Sequence, residues 1–171
     1  MPKAEQEASF TGKPTSFTGG DTTLTLPVGQ IVREASILAF RDLFAGGVQT
    51  VEKTGAGDRY TAVIRPTLRS FSYEYNQLKN AGFAITPTTS VAIDVAVSDG
   101  SGSEVWRQTV DLGPTEGNVY VVTESPGEEI SKVAHKAILD TLQRAAREAY
   151  GPLERSPAAK AAGKPDGGES L

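Results

Sequence analysis

The chain has 171 residues, with 17 Lys and Arg against 21 Asp and Glu, one His and no Cys. That inventory excludes a disulfide scaffold, a cysteine-based zinc or iron–sulfur site and a thiol nucleophile, and one histidine excludes a multi-histidine metal cluster. A formal net charge of -4 argues against general nucleic-acid binding, which requires a basic surface to displace counterions.

Residues 1–20 are polar and rich in Gly, Thr and Ser, and read as a flexible arm. Within it, Ser9-Phe10-Thr11-Gly12-Lys13 and Ser16-Phe17-Thr18-Gly19-Gly20 form a near-duplicate whose phenylalanines can pin the arm to a surface. Thr22–Leu26 alternates Thr and Leu with period two, which predicts a short strand. Pro27 sits at the favoured first-turn position of a helix extending to about Ala45, where Gly46-Gly47 stops it. Val28, Ile31, Val32, Ala35, Leu38, Ala39 and Leu43 share one face of that helix. Ile37, Phe40 and Phe44 lie opposite, so the helix is apolar on more than one side. Those three must meet the second helix, the arm, a partner or a bound apolar molecule.

Val48–Lys53 and Tyr60–Arg65 are predicted strands around the turn Thr54-Gly55-Ala56-Gly57-Asp58. Pro66 cannot donate to a ladder, and beyond it Phe71, Tyr73 and Tyr75 share one face of a further strand. Ser90–Ser98 is the clearest strand, with Val91, Ile93, Val95 and Val97 on one face and Ala92, Asp94 and Ala96 on the other. Asp99-Gly100-Ser101-Gly102 predicts a hairpin turn into a return strand, Glu104–Leu112, and Val119–Thr123 an edge strand. Ser125-Pro126-Gly127-Glu128 has the form of a capping box. It opens a helix to about Tyr150 with a buried stripe of Ile130, Val133, Ala134, Ala137, Ile138, Leu142 and Ala145. Residues 151–171 hold three prolines and four glycines and cannot bury enough apolar surface to offset ordering entropy, which predicts a disordered tail.

These elements predict a single α+β domain over residues 21–150. It is a two-layer arrangement, with a mainly antiparallel sheet and two helices packed on one face.

Catalytic groups are scarce. His135 falls at the margin of the apolar stripe and reads as a boundary histidine. No Gly-x-Ser-x-Gly motif occurs, and the glycine pairs at 55–57 and 100–102 are hairpin tips without a following helix N-terminus. Asp94, Asp99, Glu104 and Asp111 share one hairpin and read as turn and solvated-face residues. No catalytic residue, metal ligand or cofactor is assigned, and the chain is expected not to be an enzyme. The candidate interaction surface is Ile37, Phe40 and Phe44 together with Phe71, Tyr73 and Tyr75.

Asp42-Leu43-Phe44-Ala45-Gly46-Gly47-Val48-Gln49-Thr50-Val51-Glu52 closes the first helix. A strand at Tyr60–Ile64 follows, then a hairpin with the spacing Asp99, Gly102 and Trp106, then an Ala-rich amphipathic helix. Over about residues 24–150 this order resembles small bacterial envelope lipoproteins of the YajG, LptE and LpoB kind. The resemblance implies a periplasmic, outer-membrane-tethered accessory or assembly protein that binds envelope protein partners. It touches the membrane only through a lipid anchor on a cysteine that this sequence lacks, with the arm as spacer. A small-molecule or lipid carrier, with a pocket lined by Ile37, Phe40, Phe44 and Tyr73, is the alternative function. Cytoplasmic residence is the alternative location, and pairing into a homodimer through the first helix or an edge strand is a further expectation.

Overall fold

The computed structural model describes residues 1, 3–16, 23–44, 46–52, 60–76, 84–120 and 126–156. The chain runs through α1 (Lys3–Gln6), β1 (Phe10–Gly12), β2 (Leu24–Leu26), α2 (Val28–Phe40) and a 3-10 turn (Arg41–Leu43). It continues through β3 (Ala62–Asn76), β4 (Thr86–Asp99), β5 (Glu104–Asp111), β6 (Thr115–Glu116) and α3 (Pro126–Glu154). The expected α+β class holds: an antiparallel sheet ordered β3-β4-β5 carries helices, and β6 continues beside the first half of β4. β1 and β2 form a separate antiparallel ribbon.

The alternation in β4 sorts its two faces. Val91, Ile93, Val95 and Val97 are buried with Ala137, Ile138, Leu142 and Ala145 of α3 and Ile31, Val32 and Ala35 of α2. Removing these side chains from water is the main stabilising contribution, about 1.5–3 kcal/mol for each large one. α3 lies across β4 and β5, while α2 packs beside α3 toward β3. The other face of β4 bears small or polar residues, Ser90, Ala92, Asp94, Ala96 and Ser98, in register with Arg107 and Thr109 of β5.

Several sequence expectations are corrected. Pro66 does not separate two strands: β3 runs unbroken from Ala62 to Asn76 and pairs along its length with β4. A proline without an N–H is tolerated because β3 is an edge strand, where one side of the backbone makes no ladder bonds. Val48–Glu52 forms no strand, so the expected hairpin is absent from the described residues, and Lys53 and the turn at 54–58 lie outside them. α2 ends at Phe40 in a 3-10 turn rather than near Ala45. Gly47 then reverses the chain at φ 76°, a conformation glycine adopts without Cβ strain. On α2, Leu38 is 48% exposed and Phe40 only 1%, the reverse of the predicted stripe. Phe40 belongs to the core cluster with residues of β4 and α3, so Phe40 and not Leu38 faces protein.

α3 buries every residue of its predicted stripe. It continues past Tyr150 through Pro152, and Leu153, at 8% exposure, gives that last turn apolar burial that offsets the proline's missing donor. Tyr120 makes a single bridge to Ile85. The rest of the predicted edge strand at 121–123, the capping Ser125, Phe17, Thr22, Ala45 and the tail from 157 lie outside the described residues.

The N-terminal residues 3–16 fold onto the domain. Gly29 of α2 is buried and donates its N–H to the Ala8 carbonyl at 2.9 Å. Phe10 stacks edge-on against Phe71, with centroids 4.8 Å apart, and against Tyr73 at 6.0 Å. The Tyr73 hydroxyl donates to the Gly12 carbonyl at 3.0 Å.

Candidate functional site: a cleft at the open edge of the sheet

The β3 backbone defines the site. Thr15 N–H donates to the Tyr73 carbonyl at 2.9 Å, and Tyr75 N–H donates to the Ser16 hydroxyl at 2.9 Å. Tyr73 and Tyr75 therefore turn their backbone groups away from β4, toward the outer edge. The residues opposite them, Thr89 and Pro87, point the other way: the Pro87 carbonyl accepts the Gly117 N–H at 2.8 Å on the β6 side. Alternation along β4 carries that orientation to Ile93, Val95 and Val97. Their partners Leu68, Pro66 and Ile64 thus also present backbone groups outward. The missing donor of Pro66 falls on that outer side, so the β4 ladder is intact. Arg69, the extra residue of a bulge between Leu68 and Ser70, preserves this orientation on either side of it.

The arm covers the outer edge only around Tyr73 and Tyr75. Among the described residues, nothing pairs with the edge from Ala62 to Leu68. Beside that stretch lies a cleft of about 1080 Å³. One wall is Ile37, Phe40 and Phe44 of α2 and its following turn. A second is the irregular segment containing Val48 and Val51, and the third is β3 itself from Ala62 to Thr67.

The candidate interaction residues thus divide into two groups. Ile37, Phe40 and Phe44 meet in the cleft, Phe40 as a buried wall and the other two half-buried. Phe71, Tyr73 and Tyr75 lie at the far end of β3 beneath Phe10, with Tyr73 and Tyr75 inside a second core cluster that includes Leu26, Ile85 and Ile130. Burial raises both phenol pKa values, for Tyr75 with help from neighbouring Tyr120 and Tyr73. Tyr73 therefore does not line the cleft. Sequence reasoning missed Val48, Val51, Ile64, Arg65 and Pro66 as cleft residues. Pro66 was a partial signal, since inside a strand run a proline marks either an end or an edge.

The polar groups elsewhere are engaged locally. His135 is exposed, and its Nδ1 lies 2.8 Å from the Ser131 carbonyl one turn earlier. Asp94 accepts from Thr109 and from Arg69, which reaches across the sheet from the bulge at 3.5 Å, and these bonds lower the Asp94 pKa. Glu104 is chelated by Arg107. Asp99, almost fully buried, accepts from Ser101 N–H at 2.9 Å, the Ser101 hydroxyl at 2.6 Å and Ser103 N–H at 3.2 Å. Those bonds hold its carboxyl below the ordinary range. Asp111 caps the Gly113 N–H at 2.7 Å. Among the described residues no group of three or more metal-ligating side chains converges, and no helix is long and apolar enough to cross a membrane.

The fold and the cleft define an α+β domain in which, among the described residues, the helix-flanked edge of β3 from Ala62 to Leu68 is unpaired. No protein-family model and no curated protein matches the sequence. The crystal structure of a candidate lipoprotein from Caulobacter crescentus CB15 is similar at 18% identity and a TM-score of 0.37, covering 81% of this chain and 86% of that one. At that level of similarity nothing about function follows from it.

Proposed function

We propose that this chain is a non-catalytic binding module of the bacterial cell envelope, an accessory or assembly protein that seats part of an envelope partner in the cleft between α2 and β3. The observation that carries the reading is the conjunction of an unpaired strand edge with an apolar cleft walled by Ile37, Phe40 and Phe44. Concave, largely apolar sites with a few directed polar groups are where proteins take ligands. The envelope setting, periplasmic and tethered to the outer membrane by an added lipid, rests on the resemblance in element order over residues 24–150.

The test is a photo-cross-linking residue at position 44 in the full-length protein expressed in its own host, with the same residue at exposed Lys136 as control. The expected result is an adduct from position 44 alone, identified by mass spectrometry as an envelope protein. Adducts with cytosolic proteins, or equal labelling from both positions, overturn the reading.

The cleft volume of about 1080 Å³ favours a second reading, a carrier of a small apolar molecule. Native mass spectrometry of protein from its own host should then show a bound ligand, and a clean apo mass would remove this reading.

A further inference from the structure

The cleft's open wall is a strand edge, and that decides what fits it. Ile64 and Leu68 present both N–H and C=O outward, and Pro66 presents its C=O alone. A lipid or a small apolar molecule leaves these groups unpaired as the cleft closes over them, at a cost for each. An extended polypeptide satisfies them through its backbone, as the Thr15 N–H already does at the Tyr73 carbonyl; at Tyr75 the Ser16 hydroxyl fills the same role from a side chain. We infer that the cleft takes an extended segment of a partner polypeptide, which adds to β3 as a further strand alongside Ala62–Leu68. This rests on the binding-module reading and names the occupant of the same site.

The edge specifies the segment. A strand paired with β3 shares its facing, so residues opposite Ile64, Pro66 and Leu68 point toward α2 and must be apolar to fill the space beside Ile37 and Phe44. Residues opposite Arg65 and Thr67 point to the other face. There Arg65 is exposed, which favours an acidic residue opposite it. The segment therefore alternates apolar and polar residues, with an acidic one in the polar register.

Three of the registers open to a second copy of this chain suit the edge poorly. Antiparallel self-pairing centred on Pro66 sets proline against proline where a bonded pair belongs. Centring on Arg65 sets arginine against arginine, and centring on Thr67 sets Arg65 against Arg69.

The test is selection of displayed random dodecapeptides on the immobilised full-length chain. Enriched peptides should show period-two apolar spacing with an acidic residue between, and binding should protect the Ile64 and Leu68 amides from hydrogen exchange. Arg65→Glu, a change at an exposed position, should weaken such a peptide about fivefold, and a Lys-for-Glu peptide should restore it. Pro66→Ala supplies the missing donor and should tighten binding severalfold.

Enrichment of helically spaced peptides, or binding without protection of those two amides, overturns strand addition. So does concentration-dependent dimerisation that protects them, or saturable binding of dodecanoate without peptide enrichment. Should cross-linking from position 44 still yield an envelope partner, strand addition fails while the binding-module reading stands. With neither adduct nor peptide, both fall.

Discussion

Gly29→Ala sets two effects of opposite sign against each other. In an isolated helix the change favours folding by about 1 kcal/mol, because alanine loses less backbone freedom. Here a Cβ at position 29 would overlap the Glu5 carbonyl oxygen and lie 2.8 Å from that of Gln6 and 2.9 Å from the Ala8 nitrogen. All three are backbone atoms, so α1 must withdraw rather than a side chain rotate. Overpacking of this kind costs about 1–3 kcal/mol. The hydrogen bond from the position 29 N–H to the Ala8 carbonyl contributes roughly another 1 kcal/mol. The expected net loss is about 1–3 kcal/mol, or a Tm lower by about 3–9 °C at this chain length. Thermal melting by circular dichroism reads the net effect. Hydrogen exchange at the position 29 and Thr15 amides reads the release of the N-terminal segment. A Tm raised by the propensity gain, with both amides still protected, would refute the close approach of the Glu5–Ala8 backbone to position 29.

Leu142, fully buried between α3 and β4, should lose about 2–5 kcal/mol on Leu142→Ala, read as a lower urea midpoint at constant m-value; a cost under about 1 kcal/mol would contradict its burial. The Asp99 carboxyl is held below its ordinary value chiefly by Ser101, so its contribution is present above about pH 3.9 and lost as pH falls through the folded-state value. Asp99→Asn should therefore flatten the acid side of a stability–pH curve, and an unchanged acid limb would show that the hairpin turn does not depend on the charge. Tyr73 and Tyr75 have phenol pKa values raised by burial, which makes their contribution complete below about pH 10 and lost above it. Their phenolate absorbance should appear only as the protein unfolds in alkali, and its appearance in the folded state would place them at the surface.

The α3 stripe and the β4 alternation were legible because each repeats over several turns or residue pairs, and burial follows periodicity when one face meets one layer. Edges are another matter. Pro66 carries the same local signal whether it ends a strand or sits on the outer side of one, and only the position of β4 shows which side needed the N–H. Val48–Glu52 has the composition of a strand but no neighbour to pair with among the described residues, and β propensity without a partner makes no ladder. Phe40 falls on the outer side of a helical wheel because a wheel assumes one neighbour, whereas α2 meets both α3 and β3.

Composition and local period suffice for the class: a cysteine-free, acidic α+β domain with one valine-lined central strand, one long amphipathic helix and little catalytic equipment. These are properties of composition and local period, which hold wherever the elements are placed. That Ile37, Phe40 and Phe44 share a cleft, while Phe71 and Tyr73 lie beneath Phe10, emerges from packing alone. Nor could sequence tell that, among the described residues, the arm covers β3 at Tyr73 and Tyr75 and not along Ala62–Leu68. Which edge stays open is settled by contacts between residues far apart in the chain, as Thr15 and Tyr73 are at 58 positions, and no local pattern encodes such a meeting.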